Sequence, residues 1–194
     1  MWTVIGLGNP GKEYENNRHN TGFLLVDFLV GKGEKWEKSN QANCFYVWTK
    51  IDKKKVEFIK PQTFMNKSGK TVDYVKKNHK LKSENIIIIY DDLDLPLGTF
   101  KISFNRGAGG HRGLESIIKA LKSKKFIRIR VGISQTTSGG KLKKPQGEKK
   151  IIKFLIGDYK KDELLKLKKL SKKVFESLEM IIAEGKEKTM SLFN

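Results

Sequence analysis

The chain has 194 residues, which is enough for one domain with a full hydrophobic core and short for two. Hydrophobic residues make up 38% of it, and no apolar run approaches the roughly 20 residues that cross a bilayer, so we expect no membrane partner. Basic residues outnumber acidic ones by 40 to 21, giving a net charge of +19, which favours an anionic partner such as nucleic acid.

Cysteine usage and the amino terminus indicate the compartment. Cys44 is the single cysteine of the sequence, so an internal disulfide is impossible. The first residues lead directly into a strand-like segment, without the basic and apolar regions of a secretory signal. We therefore expect a cytoplasmic protein.

The basic residues fall into two groups. Many of the 35 lysines alternate with apolar residues, as on an ordinary solvated helix face. A guanidinium group is planar and matches phosphate better than an ammonium group does, so the arginines are the stronger candidates for binding an anion. The five arginines are Arg18, Arg106, Arg112, Arg128 and Arg130.

Apolar periodicity predicts strands and helices that alternate along the chain. The predicted strands span residues 2–7, 43–51, 55–59, 86–90, 99–104 and 126–133. The predicted helices span 21–30, about 67–78, about 114–121 and a long terminal stretch that includes 167–181. Segment 136–150, rich in glycine, serine and lysine, is predicted to be a flexible loop. This order indicates an α/β fold, a single globular domain of residues 1–194 with a twisted mixed central sheet flanked by helices.

The most informative motif is IGLGNPGKEYENNRHNTG at residues 5–22. His19 lies there in a polar loop just after the first predicted strand, where side chains can face a cleft, and it is the leading candidate for a general base. The glycines at 6, 8 and 11 also fit the G-x-G-x-x-G pattern of dinucleotide-binding turns. That interpretation fails, because no helix is predicted to begin at the third glycine and no acidic residue ends a second strand about 20 residues later.

The motif YDDLDLP at residues 90–96 follows the most apolar predicted strand. Its three aspartates are open to three interpretations. They can be ligands of Mg²⁺ or Mn²⁺, or turn formers before Pro96. Alternatively, Asp91 accepts the Nδ1 proton of His19 and leaves Nε2 free to take a proton from water.

Two further motifs are PQTFMNKSG at 61–69 and GAGGHRGLESI at 107–117. In the first, Ser68 is predicted to cap the following helix, and Asn66 is either a cap or the donor of an oxyanion hole. In the second, small residues allow the backbone to approach a ligand, and His111 is equally a helix cap or a ligand.

Taken together, these motifs and RIRVGI resemble the bacterial-type peptidyl-tRNA hydrolase family over most of the chain. The resemblance implies a monomeric cytoplasmic esterase that uses neither metal nor organic cofactor. Its substrate would be peptidyl-tRNA, and it would cleave the ester between the peptide and the 3′-terminal ribose, recycling tRNA from peptides released prematurely.

The resemblance also implies roles for individual residues. His19 would be the catalytic base, Asp91 its orienting partner, and Asn9 the group that senses the peptide amide. The residues expected to contact the tRNA or the peptide are Tyr14, Phe64, Met65, Asn66, His111, Arg112 and Arg130.

The chain departs from the family pattern at two positions. Arg112 stands where such proteins usually carry asparagine, and it can donate hydrogen bonds but not accept them. Ser103 stands where a lysine often helps to hold the 5′ phosphate of tRNA, which leaves Arg130 for that task, with help from Lys101 or Arg128.

Two rival functions remain open. The first is a catalytically silent RNA-binding member of the same fold, which the Arg112 substitution favours slightly. The second is a metal-dependent phosphoesterase that uses Asp91, Asp92 and Asp94.

Overall fold

A computed structural model describes residues 1–31 and 33–194. They form an eight-stranded sheet with the strand order β2-β3-β4-β1-β5-β7-β6 and with β8 paired to β7. The strands are β1 (Trp2–Gly6), β2 (Glu37–Ser39), β3 (Cys44–Ile51), β4 (Lys54–Pro61), β5 (Ile86–Pro96), β6 (Phe100–Phe104), β7 (Ile127–Thr136) and β8 (Leu142–Lys143). The α-helices are α1 (Thr21–Val30), α2 (Ser68–Asn78), α3 (Arg112–Leu121), α4 (Glu148–Leu155), α5 (Lys161–Glu184) and α6 (Lys186–Phe193).

The sheet is mixed, as the sequence predicts. Its central strands β4, β1, β5 and β7 are parallel, and antiparallel strands flank them on both sides. The isoleucine run at the start of β5 is buried, because helices cover both faces of the sheet. Helices α1 and α5 pack on one face, and α2 and α3 pack on the other. In the described part of the chain, no helix is both long enough and apolar enough to span a bilayer.

Several elements differ from the predictions, among them β2, which was not predicted. Strand β5 continues to Pro96 instead of ending at Tyr90, because it goes on pairing with β7. Segment 136–150 is not a plain loop, since β8 pairs with the end of β7 and α4 begins at Glu148. The terminal helix is interrupted at Gly185, whose φ of 95° ends α5 before α6 begins.

The turn that carries His19 is held by a close approach of helix to sheet. Gly22 lies in the first turn of α1, where a Cβ would collide with the backbone of Leu7 and Ile89. Only glycine allows the start of α1 to rest on β1 and β5 in this way. The residues just before α1 are therefore fixed at the carboxyl edge of the central strands.

Arg18, beside His19, is buried and serves the structure. Its guanidinium group donates to Glu163 Oε2 at 3.0 Å and to the Gly157 carbonyl at 3.1 Å. It also lies over the rings of Phe154 and Tyr159. These contacts tie the 3₁₀ turn Arg18–Asn20 to the junction between α4 and α5. The expectation that Arg18 binds phosphate is therefore wrong, because burial and an internal carboxylate occupy its guanidinium group.

We expect Glu163→Gln to lower the free energy of unfolding by about 3 kcal/mol, because it leaves the charge of Arg18 buried without a counter-charge. The matched control is Asp162→Asn, an exposed position in the same first turn of α5. It should cost less than about 1 kcal/mol. Urea unfolding of both variants measures the difference, and equal losses would contradict a structural role for the Arg18–Glu163 pair.

Candidate active site

The site is built around a buried carboxylate. Asp91 lies in β5, near the carboxyl edge of the sheet, and is 3% exposed. It accepts from His19 Nδ1, which lies 2.9 Å from Oδ2 and 3.1 Å from Oδ1. Its Oδ1 also accepts from His111 Nε2 at 3.2 Å. Of the three interpretations of the YDDLDLP aspartates, the geometry agrees with the one in which Asp91 orients His19.

The hydrogen bonds define how each imidazole is protonated. An ionised carboxylate only accepts, so His19 Nδ1 and His111 Nε2 both carry protons. The backbone N–H of Leu114 donates to His111 Nδ1 at 3.4 Å, so that nitrogen offers its lone pair and His111 caps α3. His19 Nε2 has no hydrogen-bond partner among the described residues. Of the four ring nitrogens, it alone is available to a substrate or a water molecule.

Charge and burial shift the pKa values of this pair in opposite directions. Burial alone would raise the pKa of Asp91, but the two histidines outweigh it and hold that pKa well below its ordinary value. Burial would lower the pKa of His19, but the Asp91 carboxylate raises it by more. The positive charge of Arg112 opposes that rise. Asp91 therefore stays ionised and stabilises the protonated form of His19.

Asn9 is held in a fixed orientation beside this pair. Its backbone N–H donates to Asn20 Oδ1 at 2.9 Å, and Asn20 Nδ2 donates back to the Asn9 carbonyl at 2.9 Å. The side-chain Oδ1 of Asn9 accepts the backbone N–H of Met65 at 2.8 Å. Because this bond fixes the orientation of the amide, the Nδ2 protons of Asn9, which have no partner among the described residues, are available to a bound molecule.

These residues line one cleft of about 880 Å³. Nine of the ten predicted site residues contribute to its wall: Asn9, His19, Phe64, Met65, Asn66, Asp91, His111, Arg112 and Arg130. Met65 is buried, whereas Phe64 is 55% exposed and presents its ring at the rim. Tyr14 is the exception, since it is half-buried in the 3₁₀ turn Lys12–Tyr14 and is not among the lining residues.

The PQTFMNKSG segment is assembled differently from the prediction at one position. Ser68 does not cap α2 through an accepted hydrogen bond, because its hydroxyl donates to the Met65 carbonyl at 2.9 Å. The side chain of Asn66 is exposed at the cleft and makes no hydrogen bond within the described residues. Of the two roles considered for Asn66, only the one at the cleft remains.

Arginine and serine side chains of the outer sheet form a second part of the cleft. Arg130 Nε donates to Asp92 Oδ2 at 2.7 Å. Ser103 is 5% exposed, and its hydroxyl has no partner within the described residues. Arg128 lies opposite Ser103 in the sheet but is 1% exposed, and it donates to the carbonyls of Arg106 and Gly107. Arg128 therefore fixes the loop before α3, and the expectation that it assists at a phosphate is not supported by its burial.

Arg112 points across the mouth of the cleft. Its NH2 group donates to Glu148 Oε1 at 3.2 Å, which links the start of α3 to the start of α4. The two side chains are 62% and 77% exposed. A second exposed ion pair, between Lys144 and Asp94, joins the segment before α4 to the end of β5.

Sequence reasoning missed several residues of this site. Asn20 locks Asn9, Tyr90 packs edge-on against the His111 ring at 4.9 Å, and Glu148 neutralises Arg112. Burial raises the pKa of Tyr90 to about 12, so it remains a neutral phenol in the cleft wall. Asn20 stands within the first motif, so its position next to His19 was a usable signal. Glu148 lies in a lysine-rich segment, and nothing in the sequence indicated that it belongs to the site.

A metal ion would have to bind at His19, Asp91 and His111, the group of potential ligands that lie close enough together within the described residues. The hydrogen bonds oppose this, because His111 Nε2 carries a proton when Nδ1 accepts from Leu114. Asp92 and Asp94 are paired with Arg130 and Lys144 instead. The three aspartates of YDDLDLP thus form no shared ligand set.

The parallel central strands hold a His–Asp pair at their carboxyl edge, with one imidazole nitrogen free in a basic cleft, and this arrangement suits a hydrolase that uses a general base. Residues 3–194 match the family model described as peptidyl-tRNA hydrolase. The chain belongs to the peptidyl-tRNA hydrolase family.

Curated relatives and solved structures agree with the family. The chain is 37% identical over 191 residues to the peptidyl-tRNA hydrolase of Persephonella marina, covering 98% of this chain and 96% of the relative. It is 40% identical over 193 residues to that of Thermotoga maritima, with the same coverage. The crystal structure of peptidyl-tRNA hydrolase from Acinetobacter baumannii is similar with a TM-score of 0.87 at 25% identity, covering 100% of this chain and 94% of that chain.

Arg112→Asn should move the acidic limb of the pH profile of kcat/KM to higher pH. His19 must be neutral to accept a proton, so this limb marks its pKa, and removing a nearby positive charge raises that pKa. The control is Arg106→Asn, which removes an equal charge from another residue of the cleft wall. A limb that stays in place in Arg112→Asn would contradict the electrostatic coupling of Arg112 to His19.

Proposed function

We propose that this protein is a monomeric, cytoplasmic, metal-independent esterase that hydrolyses the bond between a peptide and the 3′-terminal ribose of tRNA. The observation that carries the proposal is the His19–Asp91 pair, whose free Nε2 faces a basic cleft. Membership in the peptidyl-tRNA hydrolase family supplies the substrate class. The net charge of +19 supports an RNA substrate, since it draws a polyanion to the cleft.

The reaction begins with a water molecule held at His19 Nε2. His19 takes one proton as the water oxygen attacks the ester carbonyl, and the buried Asp91 stabilises the imidazolium that forms. Collapse of the tetrahedral intermediate breaks the bond to the ribose oxygen, and His19 returns its proton to that oxygen. The products are a tRNA with an intact 3′-terminal ribose and a free peptide acid, which loses its remaining proton to water and becomes a carboxylate.

His19 is assigned as the base in preference to His111 because of their hydrogen bonds. Both nitrogens of His111 are engaged, one by Asp91 and one by the backbone of Leu114. His111 is thus a positioning residue, which supplies Asp91 with a second hydrogen bond and fixes the carboxylate against His19. The imidazole rings lie 5.1 Å apart between centroids, so a substrate at His19 also lies near His111.

Two asparagines supply donors to the substrate. Asn9 offers its Nδ2 protons, which suits an acceptor such as a peptide carbonyl oxygen next to the ester. Recognition of an N-blocked residue through this carbonyl would distinguish peptidyl-tRNA from free aminoacyl-tRNA. Asn66, exposed at the cleft, is the candidate donor to the developing oxyanion, and Phe64 offers a ring at the rim for a base or an apolar side chain.

Arg130 is suited to binding a phosphate group. Asp92 binds Nε of Arg130 and orients the guanidinium group, while NH1 and NH2 have no partner among the described residues. A phosphate can accept from both of these groups in the bidentate manner that arginine favours. The Ser103 hydroxyl has no partner among the described residues, but it is buried and is therefore not offered to that phosphate.

The decisive assay measures release of an N-acetylated amino acid from charged tRNA by the purified protein in excess chelator. Turnover in chelator supports the proposal and contradicts the metal-dependent phosphoesterase. Binding of tRNA without turnover would instead favour the silent RNA-binding member of the fold. Turnover that requires added metal would contradict the general-base mechanism.

His19→Ala should lower kcat by at least about 100-fold and leave tRNA affinity nearly unchanged, because general-base catalysis contributes roughly 10²–10⁴. Asp91→Asn should also be impaired, since an amide cannot stabilise imidazolium. His111→Ala should lose less than His19→Ala, because Asp91 keeps its bond to His19. Single-turnover rates and filter binding separate the two effects, and near-normal turnover in His19→Ala would show that the base is another group.

Arg130→Ala should make the log–log salt dependence of tRNA affinity shallower by about one unit, as expected when one phosphate contact is lost. The control is Lys50→Ala, which removes an equal charge from an exposed position on β3. This strand lies two strands away from β1 in the sheet. Binding isotherms over a salt series measure both slopes. Identical slopes in the two variants would place the phosphate contact elsewhere.

A further inference from the structure

The contact between Arg112 and Glu148 is too weak to be explained as structural support. Both side chains are mostly exposed, and a single 3.2 Å hydrogen bond joins NH2 to Oε1. Exposed pairs of this kind contribute little to stability, because water screens both charges. Nε and NH1 of Arg112 have no other partner among residues 1–31 and 33–194. The guanidinium fork is therefore only partly used, by an anion that is easily displaced.

The position of Arg112 indicates which anion would replace Glu148. It directly follows His111, which is bonded to Asp91 at the reaction centre, and it lines the same cleft. When an ester on the 3′-terminal ribose reaches His19, the covalently nearest anion is the phosphodiester of that same 3′ strand. Arg130 lies on β7, a different element, and is left for another phosphate.

An exchange of anions also protects the chemistry at His19. The charge of Arg112 lowers the pKa of His19 and so makes imidazolium harder to form. A carboxylate on Arg112 screens this charge in the free protein, and a phosphate would screen it in the complex. When the phosphate replaces the carboxylate, the electrostatic field at His19 stays similar, and the protein gains a contact with the substrate.

We propose that Arg112 binds a phosphodiester of the single-stranded 3′ end of tRNA, and that Glu148 occupies Arg112 until the RNA displaces it. The inference rests on the proposed function, since that function places the 3′ end at His19. It assigns Arg112 a role that differs from that of the asparagine usual in the family. This role of Arg112 also explains why an acidic residue, Glu148, lies opposite it at the start of α4.

The experiment compares two esters of N-acetyl-leucine, one on the 3′ oxygen of adenosine and one on the trinucleotide CCA. Only the trinucleotide carries phosphodiesters. The quantity measured is the ratio of kcat/KM for the trinucleotide ester to kcat/KM for the adenosine ester, at a pH where neither changes with pH. Binding of uncharged CCA relative to adenosine tests the same contact without turnover.

Arg112→Gln should lower this ratio about tenfold, as expected for loss of a charge-assisted bidentate contact. Arg112→Lys should recover part of it, because lysine keeps the charge without the fork. Glu148→Gln should raise the ratio about two- to threefold by removing the competing carboxylate. Lys50→Gln and Glu179→Gln, exposed charge changes away from the cleft, should leave the ratio at the wild-type value.

An unchanged ratio in Arg112→Gln would overturn the inference, whether both esters lose activity equally or neither does. A lowered ratio in Glu148→Gln would also overturn it, since Glu148 would then assist binding instead of competing. If the wild-type protein hydrolyses neither ester, the proposed function fails, and the binding comparison alone decides whether Arg112 contacts phosphate.

Discussion

The burial of the Asp91 carboxylate is the constraint on which the site depends. An ionised carboxylate at 3% exposure is costly unless charged or polar groups supply hydrogen bonds. Two imidazole donors meet that need, and they come from turns more than 90 residues apart in sequence. Bringing His19 and His111 to one aspartate therefore fixes the loop before α1 and the loop before α3 against the edge of β5. The hydrogen bonds that satisfy this buried charge are therefore the same bonds that orient the His19 ring.

The cleft has a rigid floor and a loosely held rim. On the floor, Asn9 makes three hydrogen bonds to Asn20 and Met65, and the start of α1 rests on the sheet through Gly22. The rim differs, since α4 has no buried residue and two exposed ion pairs connect its segment to the cleft. Groups that act on the ester need exact placement, which buried hydrogen bonds provide. Groups that meet a large RNA must exchange partners, and exposed ion pairs allow this at small cost.

The five arginines show why charge alone does not locate a binding surface. Arg18 and Arg128 are buried and bonded to internal acceptors, so they stabilise the two loops that frame the site. Arg106, Arg112 and Arg130 are at least partly exposed in the wall of the cleft, which the buried Arg128 also lines. In β7, Arg128 and Arg130 point to the same face of the sheet, yet one faces the loop carbonyls and the other faces Asp92. The two arginines therefore differ in the groups that pack against them in the folded chain, and these groups cannot be inferred from the residue type.

The sequence by itself determined the alternation of strands and helices, the resemblance to the family and the choice of His19 as the candidate base, whereas the structure decided among the three interpretations of Asp91. Local periodicity specifies elements such as α1, and short motifs name chemically distinctive residues. Tertiary structure alone decided that β5 runs on to Pro96, that 136–150 contains β8 and the start of α4, and that His111 bonds Asp91. It also decided that Tyr14 lies outside the cleft wall and that Glu148 meets Arg112. These outcomes depend on contacts between residues distant in the chain, whose energies are comparable to local preferences and cannot be read from a local pattern.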